Sequence, residues 1–234
     1  MQVEITTRSS SSIAQVSLDK NETIMVESGA MIAMSPDIDM KTEAQGGVLE
    51  SVSRSVFSGE SFFLNTYTGK TNGDRILLAP PLPGDIAVVN MQNQSLLVQS
   101  GSYLASSAGI EVDMDWTGFE TFFSGYGLIM LRARGTGTLI VSSCGSIHFL
   151  ELNIAEKFIV DTAHLVTFEE QVGYDIKKVA GWKSTLFSGE GLVIELTGPG
   201  NVTLQSHNQE SFLSKLIHSI PKEISVGNSG DLHG

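Results

Sequence analysis

Cysteine is almost absent from this chain, with one residue, Cys144, in 234. No internal disulfide can form, so folding cannot depend on an oxidising compartment. Basic residues are also scarce, 14 Lys and Arg against 26 Asp and Glu, for a formal charge of −12. A nucleic-acid binder needs a basic surface against phosphates, and this composition argues against one. Nowhere does the sequence approach the roughly 18 consecutive apolar residues of a membrane-spanning helix. Met1 to Ser12 holds no apolar stretch behind basic residues, so no secretory signal is read there. A chain of this length can bury a sizeable core without a disulfide or a metal. The composition describes an acidic, soluble protein, expected in the cytoplasm.

What the chain does have is glycine, 24 residues of it, and much of it recurs in register. The tripeptide Phe-Ser-Gly occurs at Phe57-Ser58-Gly59, Phe123-Ser124-Gly125 and Phe187-Ser188-Gly189. Each copy is followed by a short apolar run and a glycine turn: Phe62-Phe63-Leu64 before Gly69, Leu128 to Leu131 before Gly135, and Leu192-Val193-Ile194 before Gly198. Upstream, the runs Ile24-Met25-Val26-Glu27-Ser28-Gly29, Leu96-Leu97-Val98-Gln99-Ser100-Gly101 and Phe158-Ile159-Val160-Asp161-Thr162-Ala163 also correspond. Three flanking features in step imply one unit written three times. The expected limits are 1-91, 92-152 and 153-220, with a flexible tail over 221-234.

Each unit reads mostly as β, from short apolar and β-branched runs bounded by Gly, Asn, Asp and Ser. Before each Phe-Ser-Gly lies a stretch at helical spacing: Leu49, Val52 and Val56; Phe119 and Phe122; Val179, Trp182 and Leu186. One short helix per unit is therefore expected. Asn208 to Ser219 places Phe212, Leu213, Leu216 and Ile217, with Ile220 beyond, on one helical face that Pro221 stops. That pattern predicts a C-terminal helix docked on the core. Units of about 65 residues are small for independent stability, so three closing about a pseudo-threefold axis would bury one another's apolar faces. The expected fold class is all-β, with short helices and a C-terminal helix.

Several motifs together carry a resemblance. They are Leu18 with Glu22, Glu27-Ser28-Gly29-Ala30-Met31, Gly59-Glu60-Ser61-Phe62-Phe63, and Val160 through Val166. The most specific is Ser188-Gly189-Glu190-Gly191-Leu192-Val193 followed by Gly198-Pro199-Gly200-Asn201-Val202. With these the chain resembles the altered-inheritance-of-mitochondria family of the TRAP-like (tryptophan RNA-binding attenuator protein-like) superfamily, over most of residues 1 to 220. The resemblance implies three TRAP-like repeats, each a shortened double-stranded β-helix, in pseudo-threefold arrangement. It implies no established activity, and the charge of −12 argues against carrying over RNA binding.

The chemistry-bearing residues are few. Cys144, Ser146 and His148 would share one face of a regular strand, which makes Cys144 and His148 weak metal candidates short of the three or four ligands zinc needs. Glu60 and Glu190 hold equivalent places in units one and three, where unit two has Tyr126. If these three converge, they form a ligand or cation site; otherwise each faces solvent beside its turn. Glu111-Val112-Asp113-Met114-Asp115 reads as the solvated face of an edge strand, or as a weak cation patch. Gly69-Lys70-Thr71 lacks the glycine spacing of a phosphate loop and reads as a hairpin turn. No catalytic constellation assembles and no cofactor is implied. The expectation is a non-catalytic binding or scaffold protein, with a protein partner or self-association and no integral membrane segment. The alternative is a small-ligand or cation-binding protein or enzyme using a cleft between lobes.

Overall fold

The computed structural model describes residues 1–7, 11–41, 64–113, 129–177 and 193–219. The three Phe-Ser-Gly tripeptides and the three short helical stretches expected before them lie outside these residues, as does the tail. Within them the chain is mostly β-strand. The first strands are β1 (Gln2–Thr7), β2 (Ile13–Leu18), β3 (Thr23–Glu27), β4 (Met31–Met34), β5 (Asp39–Lys41), β6 (Leu64–Thr68) and β7 (Asp74–Leu78). Four longer or shorter strands follow: β8 (Ile86–Gln99), β9 (Tyr103–Ser107), β10 (Ile110–Asp113) and β11 (Met130–Ser142). The last are β12 (Ile147–Leu152), β13 (Lys157–Asp161), β14 (Leu165–Glu169), β15 (Gly173–Lys177), β16 (Val193–Thr197) and β17 (Gly200–Gln205), before a helix over Gln209–Ser219.

Period-two burial places these strands on the core. In β2 the residues Ala14, Val16 and Leu18 are buried while those between them are half-exposed. The antiparallel ladders then repeat. In the first set β2 pairs β7, β3 pairs β6, β4 pairs β7 and β5 pairs β6. The third set has the same four, β12 with β17, β13 with β16, β14 with β17 and β15 with β16. In the second set β8 and β11 each run unbroken through two strand positions, and β9 and β10 flank β11. The expected limit between residues 91 and 92 therefore falls inside β8.

Irregularities repeat along with the ladders. The strand after each small turn carries one extra residue, a bulge, at Ile32 in β4, Leu104 in β9 and Val166 in β14. The non-glycine residues with positive φ among those described are Asn21 (68°), Asn93 (52°) and Ala155 (61°). Each stands three places before a matching apolar residue, Ile24, Leu96 and Phe158. Beside two of these turns a glutamate accepts the same bond: Glu22 Oε2 from the Asp19 N–H at 2.8 Å, and Glu156 Oε2 from the Asn153 N–H at 2.9 Å. These backbone donors hold both carboxyls below their ordinary range.

Two junctions join the sets. Strand β3 pairs with β9, matching Ile24 to Ser107, Met25 to Ser106 and Val26 to Ala105. Strand β8 pairs with β14, matching Leu96 to Glu169, Leu97 to Phe168 and Val98 to Thr167. The bulge residue completes each junction: Leu104 lies in the core cluster of Val16, Ile24 and Ile76, and Val166 in that of Val98, Tyr103 and Leu139. Both are wholly buried.

The C-terminal helix forms where its apolar spacing predicts, but it does not dock as expected. Phe212 is half-buried, whereas Leu213, Leu216 and Ile217 are exposed. A 3.6-residue pattern defines an apolar face without naming what covers it.

Alanine at φ 61° pays a steric cost of about 1 kcal/mol that asparagine, the residue at positions 21 and 93, largely avoids. Ala155→Asn should therefore raise the melting temperature by roughly 2–4 °C. A lower melting temperature would contradict the shared turn geometry.

Candidate functional site

Cys144 and His148 are not brought together. Gly145, at φ +77°, turns the chain before β12 begins at Ile147, so the regular strand expected to align Cys144, Ser146 and His148 is broken. A side chain at 145 would meet His207 Nδ1 at 2.2 Å and Ser206 Oγ at 2.3 Å, which restricts this position to glycine. Cys144 is buried, and burial raises its thiol pKa. Its N–H donates to Gln205 Oε1 at 2.8 Å and its carbonyl accepts from the His207 N–H. His148 is exposed on β12. Among the described residues, no group of three or more His, Cys, Asp and Glu side chains is arranged to hold a metal.

Gln205 is the centre of a structural network around this cysteine. Its Nε2 donates to the Ala163 carbonyl at 2.9 Å, and its own carbonyl bonds His164 Nδ1 at 2.8 Å. A buried side-chain amide thus ties the end of β17 to the turn at Thr162–His164 and to Cys144. Glu60, Tyr126 and Glu190 lie outside the described residues.

The acidic run at 111–113 is an edge strand, since β10 pairs with β11 alone among the described strands. Glu111 and Asp113 face arginines across that ladder: Arg134 Nη2 lies 2.8 Å from Glu111 Oε2, and Arg132 Nη2 lies 3.1 Å from Asp113 Oδ2. Residues 114 and 115 fall outside the described part. Lys70 and Thr71 occupy the β6–β7 hairpin turn, where their backbone N–H groups and the Thr71 hydroxyl donate to Asp74. Those bonds, from Thr71 first, hold the Asp74 carboxyl below its ordinary range.

One polar cleft, of about 460 Å³, opens where the second and third sets meet. Asn93 and Ser95 from β8, Glu111 from β10, Arg134 from β11 and Glu170 line it. Its floor is a close approach of backbones, because a side chain on Gly135 would meet the Gly109 carbonyl at 2.2 Å. The Ser95 hydroxyl is buried without a hydrogen-bond partner among the described residues. Sequence reading missed this cleft because its residues come together only through the β8–β11 register.

With this geometry in hand, comparison with known proteins gives the family. A family model described as mitochondrial biogenesis AIM24 matches residues 3–207. The chain belongs to the AIM24 family. An uncharacterized protein of Streptococcus pyogenes serotype M6 is 26% identical over 217 residues, which span 89% of this chain and 87% of that protein. The crystal structure of a Streptococcus pyogenes protein superposes with a TM-score of 0.76 at 26% identity, covering 94% of this chain and 99% of that one. The AIM24 match ends two residues before the C-terminal helix begins, so the exposed helix lies beyond the matched span. Among the described residues no helix is long and apolar enough to cross a membrane.

A buried thiol with a raised pKa is a slow nucleophile. Cys144 in the native AIM24 chain should resist a thiol-specific reagent and react stoichiometrically only after denaturation. Prompt native labelling would show that the site is open.

Proposed function

We propose that this AIM24 chain is a non-catalytic binding or scaffold protein. Its three ladder sets are the repeat units of a TRAP-like, pseudo-threefold body. The recurring ladders, bulges and turn residues support the repeat reading, and by ladder the units fall at 13–78, 86–142 and 147–205. The observation that carries the binding role is the C-terminal helix, whose Leu213, Leu216 and Ile217 face outward at 44%, 48% and 66% exposure. An apolar stripe left in water costs free energy that a protein groove recovers. Of the candidates, Cys144 is buried beside Gln205, which ties the fold together, and Lys70 and Thr71 close a turn on Asp74. A charge of −12 favours a protein partner over nucleic acid.

A second reading has one observation in its favour. The cleft at Ser95 combines an unpartnered hydroxyl with Arg134 and two carboxylates, which suits a small polar ligand. A cation held by Glu60, Tyr126 and Glu190 belongs to the same reading and is tested by elemental analysis of the purified chain.

The helix gives the decisive test. Paired substitution Leu216→Glu with Ile217→Glu should leave the melting temperature unchanged, because both side chains are already exposed. The same pair should abolish recovery of a protein partner from a lysate of the native host. Equal recovery by both chains would remove the helix from the binding role.

A further inference from the structure

The first ladder set has a strand that the third lacks. Strand β1 lies along the outer edge of β2, with Gln2 opposite Ser17, Val3 opposite Val16, Glu4 opposite Gln15 and Ile5 opposite Ala14. Val3 and Ile5 pack against the core cluster of Val16, Ile24 and Ile76. The N-terminal ammonium of Met1 bonds Glu22 Oε1, so the carboxylate that closes the β2–β3 turn also holds the start of β1. In the third set the strand matching β2 is β12, and it pairs with β17 alone among the described strands.

The turn after β12 repeats the turn after β2 bond for bond. Leu18 and Leu152 end the two strands, and Asn21 and Ala155 take the positive φ. The Asn21 N–H donates to the Gly69 carbonyl at 2.8 Å, and the Gly69 N–H to the Glu22 carbonyl at 3.0 Å. Likewise the Ala155 N–H donates to the Gly198 carbonyl at 3.2 Å, and the Gly198 N–H to the Glu156 carbonyl at 2.9 Å. Both bonds to the Glu156 carboxylate, from the N–H and the side-chain amide of Asn153, go to Oε2. Its Oε1, the counterpart of the oxygen that holds Met1, has no partner among the described residues. The second set has the neutral Gln94 after its turn residue Asn93.

The side chains of β12 show what is missing beside them. Counting back from Leu152, Leu150 holds the place of Val16 and His148 that of Ala14. Val16 and Ala14 are wholly buried, whereas Leu150 is half-buried and His148 exposed. On the other face Phe149 holds the place of Gln15 and is 68% exposed, and Glu151, also exposed, holds that of Ser17. The edge is apolar at Phe149 and Leu150, and Ile147–Leu152 contains no proline or lysine to block an added strand.

We infer that β12 takes the N-terminal segment of a partner protein as an added antiparallel strand, its α-ammonium held by Glu156 as that of Met1 is held by Glu22. The inference rests on the repeat-unit reading proposed above and adds a second binding surface to that of the helix. The register of β1 on β2 fixes what the segment must carry. Its third and fifth residues lie on the inner face with Leu150 and His148, and are apolar like Val3 and Ile5. Its second residue falls opposite Glu151 and is basic, and its fourth falls opposite Phe149 and is aromatic or aliphatic. A second copy of this chain meets only half of these terms. Its Gln2 and Glu4 would oppose Glu151 and Phe149, and its β1 is already paired with β2. A net charge of −12 also favours a partner that brings positive charge.

Fluorescence anisotropy of a C-terminally labelled heptapeptide, Met-Lys-Val-Tyr-Ile-Thr-Thr with a free amino group, tests the site on the full chain. The peptide should bind, and acetylating its amino group should weaken binding roughly fivefold. Glu156→Gln keeps an oxygen for the Asn153 N–H, so its melting curve should stay unchanged while free and acetylated peptides bind it alike. Glu151→Lys should reverse the preference for lysine over glutamate at the second peptide position, by about threefold in each direction. No binding, or an amino-group preference that survives Glu156→Gln, would overturn the inference. So would a preference lost in Glu22→Gln instead, which would place the peptide on β2 in exchange for β1. Equal or tighter binding of the chain's own sequence, Met-Gln-Val-Glu-Ile-Thr-Thr, would make a second copy the occupant and overturn it too. None of these results bears on partner recovery through the helix, so failure here is distinguishable from failure of the scaffold reading.

Discussion

The structure depends on one contact made twice: an antiparallel strand pair between neighbouring ladder sets, closed by a bulge residue that enters the neighbour's core. Leu104 and Val166 are the two such residues, each wholly buried. Fully burying a leucine or valine side chain is worth about 1.5–3 kcal/mol, and the paired backbone groups would otherwise stand as open edges. A single set of this size closes few of its own faces. Its stability is shared through these junctions, which is why strands of all three sets join in one ten-stranded sheet running from β12 to β5, beside a sheet of β1, β2, β7 and β4 and another of β13, β16 and β15.

That constraint also accounts for where polar residues are spent. Glu22, Asp74 and Glu156 sit beside turns and accept backbone N–H groups that no strand partner reaches. Their carboxyls are held below the ordinary range for that reason, and they serve the turns they close. Gln205 does the same in the interior, filling the hydrogen-bonding needs of Cys144 and Ala163 at once.

Much of this was legible in the sequence, and the failures have physical causes. The repeated upstream runs at 24, 96 and 158 fall on the second strand position of each set, in β3, the later part of β8 and β13, because strand pairing there uses the same apolar pattern each time. The limit expected between residues 91 and 92 falls inside β8, a 14-residue strand that carries no turn signal along its length. Cys144 and His148 were set on one face by period two, which Gly145 breaks with a left-handed turn. The helix at 209–219 was legible in its spacing, but docking depends on a partner surface that spacing does not encode. The cleft at Ser95 was invisible for the same kind of reason, because β-register assembles it from distant positions.

Open edges make the central claim measurable at the level of single amides. Hydrogen exchange should show strong protection at the formed junctions, 105–107 and 167–169, at every protein concentration. Amides in 31–35 and 157–161 that do not bond to β7 or β16 should exchange quickly. Protection of those amides as strong as that at 105–107 and 167–169 would contradict the account.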